Sequence, residues 1–290
     1  MRVKRNLKFK LLLLFIILST LFMLRYLNLN TNYYDYNNMI IHYIDVGQGD
    51  ASLIQVNNIN MLIDSGPKES RNKILSYLRS LNIKKIDYII ATHPHEDHIG
   101  NMAKIIKTYG INKFYAPKIE NTTSTFEKMI DALKDKDLKI NVLKKDTNTI
   151  DLGKNTHVTV FSPIKDLYDN INNYSPVIKI QYGDTSFLFT GDAENEVESE
   201  ILLDSNNNIK SDVIKIGHHG SSTSSSKAFI EKVNPSLAII SVGNDNKFNH
   251  PNKSTIECLT KSNIKIYQTN KEHTIILSSD GHNIRTKSPK

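Results

Sequence analysis

Nine residues, Thr92 to Gly100 (THPHEDHIG), crowd three histidines and two acids between His93 and His98. Imidazole nitrogen and carboxylate oxygen are the donors that zinc and other borderline divalent ions take. His93 and His95 are two apart in a stretch that Pro94 biases toward extended backbone, so their side chains face the same way. Asp97 and His98 follow where the chain turns into the next helix, within reach of a second position nearby. Gly100 lets the backbone turn tightly there. The competing reading is a solvated loop that happens to carry histidines. It suits one lone histidine better than an H-x-H-x-D-H array behind an apolar strand.

The elements that must hold this cluster are visible in the hydrophobic pattern. Ile86–Ala91 (IDYIIA), just before it, is apolar and β-branched and predicts a buried strand. Similar runs at 39–46, 51–56 and 59–64 predict further strands, with a hairpin signal in VNNIN. Ile74, Leu78 and Leu81 fall at helical spacing between Glu69 and Asn82. So do Met102, Ile105, Ile106 and Tyr109, and then Phe126, Met129, Ile130 and Leu133. The second half repeats the pattern, with strands at 157–162, 177–182, 185–190, 212–217, 236–241 and 273–279, and helices at 194–205, near 226–233 and at 253–261. Such a mixture predicts stacked layers, helices outside and sheets inside. Residues 39–286 read as one domain.

Asp192 directly follows the apolar strand FLFT, where an unpaired carboxylate is costly. It reads either as a ligand or as the N-cap of the next helix, and the two roles are compatible. His42 lies within a strand and His157 begins one, so both are read as structural; His273 and His282 are read as surface residues. The run GSSTSSS after Gly220 is either a flexible loop or an anion cradle at a helix start.

Charge narrows the partner classes. The formal charge is +7, but Arg2, Lys4, Arg5, Lys8, Lys10 and Arg25 lie in the first 25 residues, where there is no acid. Taking those six from the 37 basic residues leaves 31 against 30 acidic ones. Any affinity for DNA therefore needs a local patch rather than bulk charge. The basic start MRVKRNLKFK followed by apolar Leu11–Leu24 predicts an export signal over residues 1–27, either an uncleaved anchor or a cleaved peptide. No cysteine follows it to carry a lipid. The positive flank stays inside, which directs the body outward. The Asn-rich 28–38 reads as a linker. Cys258 is the single cysteine, which excludes an intrachain disulfide and leaves the core, or metal, to hold an exported fold.

HPHEDH resembles the H-x-H-x-D-H motif of the metallo-β-lactamase superfamily. IHYIDVGQGDASLI (41–54), LIDSG (62–66), FLFTGDAENEVE (187–198), DVIKIGHHGSSTSSS (212–226) and SVGNDNKFNHP (241–251) resemble its ComEC-type competence branch. The resemblance implies an α/β fold, a four-layer αββα sandwich with two metals at one edge. It implies that His93 and His95 hold one divalent ion and Asp97 and His98 the other. Asp192 would bridge the two, and His219 is preferred to His218 as the last ligand. Asp64 would orient the metal loop through hydrogen bonds. Catalytic roles go to His218 and to His250, the latter near the mouth, and substrate contacts to Asn173 and Ser221. One departure stands out: many superfamily members carry another histidine where this sequence has NNYSPVIKI. One ion would then have two histidines, Asp192 and water, a set that also suits a harder ion such as manganese.

These implications lead to an exported hydrolase with two Zn²⁺ or Mn²⁺ ions, expected to cut phosphodiesters, most of all DNA. A channel of the ComEC type needs many membrane segments, and this sequence offers at most one. The rival expectations are a phosphocholine or teichoic-acid esterase or another hydrolase of this fold, and a non-catalytic DNA-binding accessory.

Overall fold

The computed structural model describes residues 10, 12–23, 38–244 and 246–287. The chain divides into two units, Met1–Tyr36 and Asn37–Lys290. In the first, residues 12–23 are helical with exposed apolar side chains. The rest of the expected export signal and nearly all of the expected linker lie outside the described residues. No helix among the described residues is long and apolar enough to cross a membrane.

Two sheets build the second unit. Strands β1 (Met39–Tyr43), β2 (Ser52–Val56), β3 (Ile59–Ile63), β4 (Lys85–Ile90), β5 (Gly110–Ala116) and β6 (Ile140–Val142) belong to the first. Strands β7 (Thr156–Val160), β8 (Ile178–Tyr182), β9 (Thr185–Phe189), β10 (Val213–Lys215), β11 (Leu237–Ile240) and β12 (Lys265–Gln268) form the second, in the order β12-β11-β10-β9-β8-β7. The last two, β13 (Ile275–Ser279) and β14 (Ile284–Lys287), return to the first sheet, whose order is β14-β13-β1-β2-β3-β4-β5-β6. In each sheet an antiparallel part gives way to a parallel part: β3, β4, β5 and β6 run parallel, as do β9, β10, β11 and β12.

Alternation explains the layers. Met61 and Ile63 point into the core between the sheets, with Tyr43, Ile90, Ile180, Phe187 and Phe189. Leu62, between them, points outward and meets Leu78, Ile105 and Leu133 of the outer helices. On the far side Leu188 and Ile214 pack against Val197, Phe229 and Leu259. Each such side chain contributes about 1.5–3 kcal/mol through burial. The layering is αββα, as the resemblance implied.

Local chemistry ends the elements where expected. Asn57 and Asn58 both take positive φ, 51° and 61°, in the two-residue turn joining β2 to β3, a conformation asparagine tolerates. The helices Ser124–Asp135, Lys227–Val233 and Lys253–Lys261 are capped by Thr123, Ser226 and Asn252, whose side chains accept from the first-turn amides. Strands β5, β6, β12 and β14 were not expected. β5 opens with glycine, β6 has three residues, and β12 and β14 are short, so each depends on its neighbour more than on its own pattern.

Candidate metal centre

The expected ligands arrive on loops beyond the C-terminal ends of β3, β4, β9 and β10. Asp64 follows β3 in left-handed backbone, φ 60°. Its Oδ1 accepts from Thr92 N (2.9 Å) and its Oδ2 from Thr92 Oγ1 (2.7 Å) and His98 Nδ1 (2.8 Å). Asp64 thus ties the loop after β4 to β3 and turns His98 Nε2 inward. His98 sits in a short helix, Glu96–Ile99, and is fully buried. His93 and His95 come together as their spacing predicted, with His93 Nε2 2.9 Å from His95 Nδ1. Gly100 differs from expectation: its backbone is ordinary helix, φ −55°. It is needed for closeness instead, because a Cβ there would run into Lys68 N and the Gly66 carbonyl.

Asp192 is the centre of convergence. Its Oδ2 lies 3.2 Å from His98 Nε2, 3.6 Å from His219 Nε2, 3.7 Å from His218 Nε2 and 3.8 Å from His93 Nε2. It does not cap the following helix, whose N-cap position is Glu194. His219 Nδ1 donates to the Ser241 carbonyl (2.9 Å), leaving Nε2 3.2 Å from Asp97 Oδ2. Behind it lies a pair that sequence reading missed: buried Asp50, whose Oδ2 meets Lys215 Nζ at 2.7 Å and whose Oδ1 is 3.4 Å from His219 Nδ1. Ser175, also missed, accepts from Asp192 N and lies 3.2 Å from His93 Nδ1.

The electrostatics fit a cation. Burial lowers the proton affinity of His98, but the carboxylates of Asp192, Asp64 and Asp97 outweigh it and hold the imidazole well above its ordinary pKa. Burial is likewise overruled at His219 by Asp192 and Asp50, and its pKa rises to about 10. Asp192 is held well below the carboxylate range, against its burial, by His98 and His219. Such a cluster calls for positive charge at its middle. His98 Nε2 and Asp192 Oδ1 are buried without a hydrogen-bond partner, which is costly unless something else is coordinated. Among the described residues, His93–His98–Asp192, Asp97–His98–His219 and Asp50–Asp192–His219 each bring their donor atoms within 4.8 Å of one another. The donor set fits divalent metal.

The remaining singled-out residues lie around this centre or away from it. Asn173 is buried and braces two loops: its Nδ2 donates to Glu196 Oε2 (2.7 Å) and its Oδ1 accepts from Glu194 N (3.1 Å). Ser221 is buried as well, with its Oγ between Thr223 N and Thr223 Oγ1. The serine run is not a flexible loop, and its anion is internal: Ser225 N and Ser226 N donate to the carboxylate of Glu198. His157 is exposed on β7 beside Lys145, Thr159 and Lys179, apart from the cluster. His273 and His282 are exposed. His250 stands at the rim, its ring 5.6 Å from that of His218 and 5.7 Å from that of Phe248, with Nδ1 buried and unpartnered.

A four-layer sandwich with histidines and aspartates at one edge is the architecture of the metallo-β-lactamase superfamily, whose sequence profile matches residues 44–243; the chain belongs to that superfamily. One relative is named for competence: the chain is 26% identical over 230 residues to Competence protein ComA of Neisseria gonorrhoeae, covering 78% of this chain and 30% of that one. It is 32% identical over 251 residues to ComE operon protein 3 of Bacillus subtilis, covering 80% of this chain and 32% of that protein. It is 31% identical over 221 residues to Recombination protein 2 of Haemophilus influenzae, covering 74% of this chain and 26% of that one. The chain thus spans roughly a third or less of the length of these relatives. Solved structures share the fold: YhfI of Bacillus subtilis, TM-score 0.54 at 11% identity over 83% of this chain and all of that one. Igni18, a metallo hydrolase of Ignicoccus hospitalis, gives 0.52 at 16% identity over 82% and 98%. The chain is therefore a hydrolase-superfamily domain related to competence proteins, in a superfamily that uses divalent metals.

Proposed function

We propose that this chain is an exported, metal-dependent phosphodiesterase that cuts DNA with two divalent ions, zinc or manganese. The observation that carries the reading is the convergence of four imidazole nitrogens on one oxygen of Asp192, with Asp97 alongside. His93, His95 and Asp192 would hold one ion, and Asp97, His98, His219 and Asp192 the other. When bound, such a pair supplies an activated water and Lewis acidity toward a phosphoryl oxygen. The chain's own groups do the rest. Asp64 keeps the Nδ1 proton of His98 in place, so that Nε2 stays available inward. The Ser241 carbonyl does the same for His219. His250, half-buried beside the His218 ring, is the residue we assign to a substrate oxygen. The choice of DNA leans on the competence and recombination relatives. The basic, then apolar, start of the sequence supports export, with the domain anchored or released outside the membrane.

A parallel assay tests this: single-stranded DNA, plasmid DNA, bis-p-nitrophenyl phosphate and nitrocefin, each with Mn²⁺ or Zn²⁺ added to metal-stripped protein. Turnover of the diester and of DNA, lost with chelator and absent on nitrocefin, is expected. Nitrocefin cleavage without diester cleavage would overturn it, and DNA binding without turnover of any substrate would mark an accessory protein.

A further inference from the structure

His93 and His95 bring two imidazoles to their side of the cluster, and Asn173, tied to Glu194 and Glu196, brings none. A different histidine stands ready. His218 Nε2 lies 3.7 Å from Asp192 Oδ2, matching the 3.8 Å of His93 Nε2. Its other nitrogen is held: Nδ1 donates to Glu194 Oε1 at 3.0 Å. Glu194 is itself fixed by donors from two further segments, Thr223 Oγ1 at 2.9 Å, Asn172 Nδ2 at 3.1 Å and Asn170 Nδ2 at 2.9 Å. The backbone of His218 is left-handed, φ 46° and ψ 48°, a conformation costing about 1 kcal/mol or more for a residue with a Cβ. A bond from His218 N to the Gly191 carbonyl, next to Asp192, secures it there. A metal bound at about 2.0–2.2 Å from each donor leaves its ligands about 3–3.5 Å apart. His93, His98 and Asp192 form one of the tight donor groups and His218 stands outside it, so on binding an ion the His218 side chain must swing inward toward His93.

We propose that His218 is the third imidazole of the ion held by His93 and His95, with Glu194 as its positioning residue. The proposal rests on the two-ion reading above. It turns the neighbouring histidines of GHHG into ligands of different ions: His219, grouped with Asp97 and His98, would serve one, and His218, which reaches the same Asp192 oxygen, would serve the other.

Equilibrium dialysis of metal-stripped protein against Co²⁺, with the cobalt d–d absorption recorded, reads this without any substrate. Wild type should bind two ions. His218→Ala should keep one ion at wild-type affinity and release the other about 100-fold more readily, with a changed absorption for that ion. Glu194→Gln, which keeps shape and the hydrogen-bonding oxygen, should weaken the same ion about 10–100-fold. If His218→Ala does not fold by circular dichroism, Glu194→Gln and His218→Gln decide the matter. Two ions bound at unchanged affinity in folded His218 and Glu194 variants would overturn the assignment while leaving the two-ion centre standing. A wild type that binds a single ion would remove the two-ion reading and the assignment with it.

Discussion

Asp192 and Glu198 are buried carboxylates on neighbouring turns of the same segment, and their surroundings are opposite. Glu198 accepts from two consecutive backbone amides, Ser225 and Ser226. Its burial raises its pKa despite those bonds. Asp192 faces four imidazole nitrogens with one oxygen and leaves the other without a partner. One carboxylate is satisfied by the protein and serves as mortar between a helix and a loop; the other is satisfied only when something further binds. Buried histidines divide in the same way. His42 has neutral partners on both nitrogens, Tyr77 Oη at 2.8 Å and Gln55 Oε1 at 3.0 Å, and burial lowers its pKa to about 4. His98, ringed by carboxylates, moves the other way. A buried charged group is a candidate site when its partners leave it unfinished, not because it is buried.

The contrast is broken most sharply by Asp192→Asn. Diester turnover should fall at least about 1,000-fold while the circular dichroism spectrum is retained. Near wild-type turnover in that variant would put the reaction elsewhere. His42 provides the next test, through pH. Its folded pKa of about 4 lies below the ordinary 6.5, so between those values the unfolded chain binds a proton that the folded chain refuses. Its contribution is full above pH 6.5 and is lost as pH falls toward 4, amounting to ~3 kcal/mol at most. Urea midpoints of wild type and His42→Gln at several pH values should therefore converge in acid; parallel curves would refute the assignment.

Asp64→Asn should weaken metal binding about 10–100-fold by loosening His98, with stability much less affected. An unchanged dissociation constant would mean that Asp64 holds only the loop. Glu198→Gln should reverse the Asp192 pattern, costing about 1–2 kcal/mol of stability with turnover per folded molecule unchanged. The smallest effect belongs to His157→Ala, which should shift stability by less than about 0.5 kcal/mol and leave turnover alone. A dead but folded His157 variant would break the division between site and scaffold.

The sequence by itself determined the strand and helix order over most of the domain and the central ligand cluster. Both are local: period-two and helical spacing report which face is buried, and H-x-H-x-D-H packs its donors into one turn of chain. The resemblance of the remaining blocks then pointed to Asp64, Asp192 and His219, which the fold brings to the same edge. The partners of each group were decided by tertiary structure alone. The path of its loop gives Asn173 to Glu194 and Glu196; the serine cradle is filled by Glu198 from a different helix. Asp50 and Lys215 are far apart in the chain, and their pairing behind His219 follows from the meeting of a β1–β2 loop with the end of β10. Residue type sets what a side chain can bind. Which partner reaches it first depends on register and loop path across the two sheets, where hydrogen bonds and charge act over a few ångströms that no local pattern encodes.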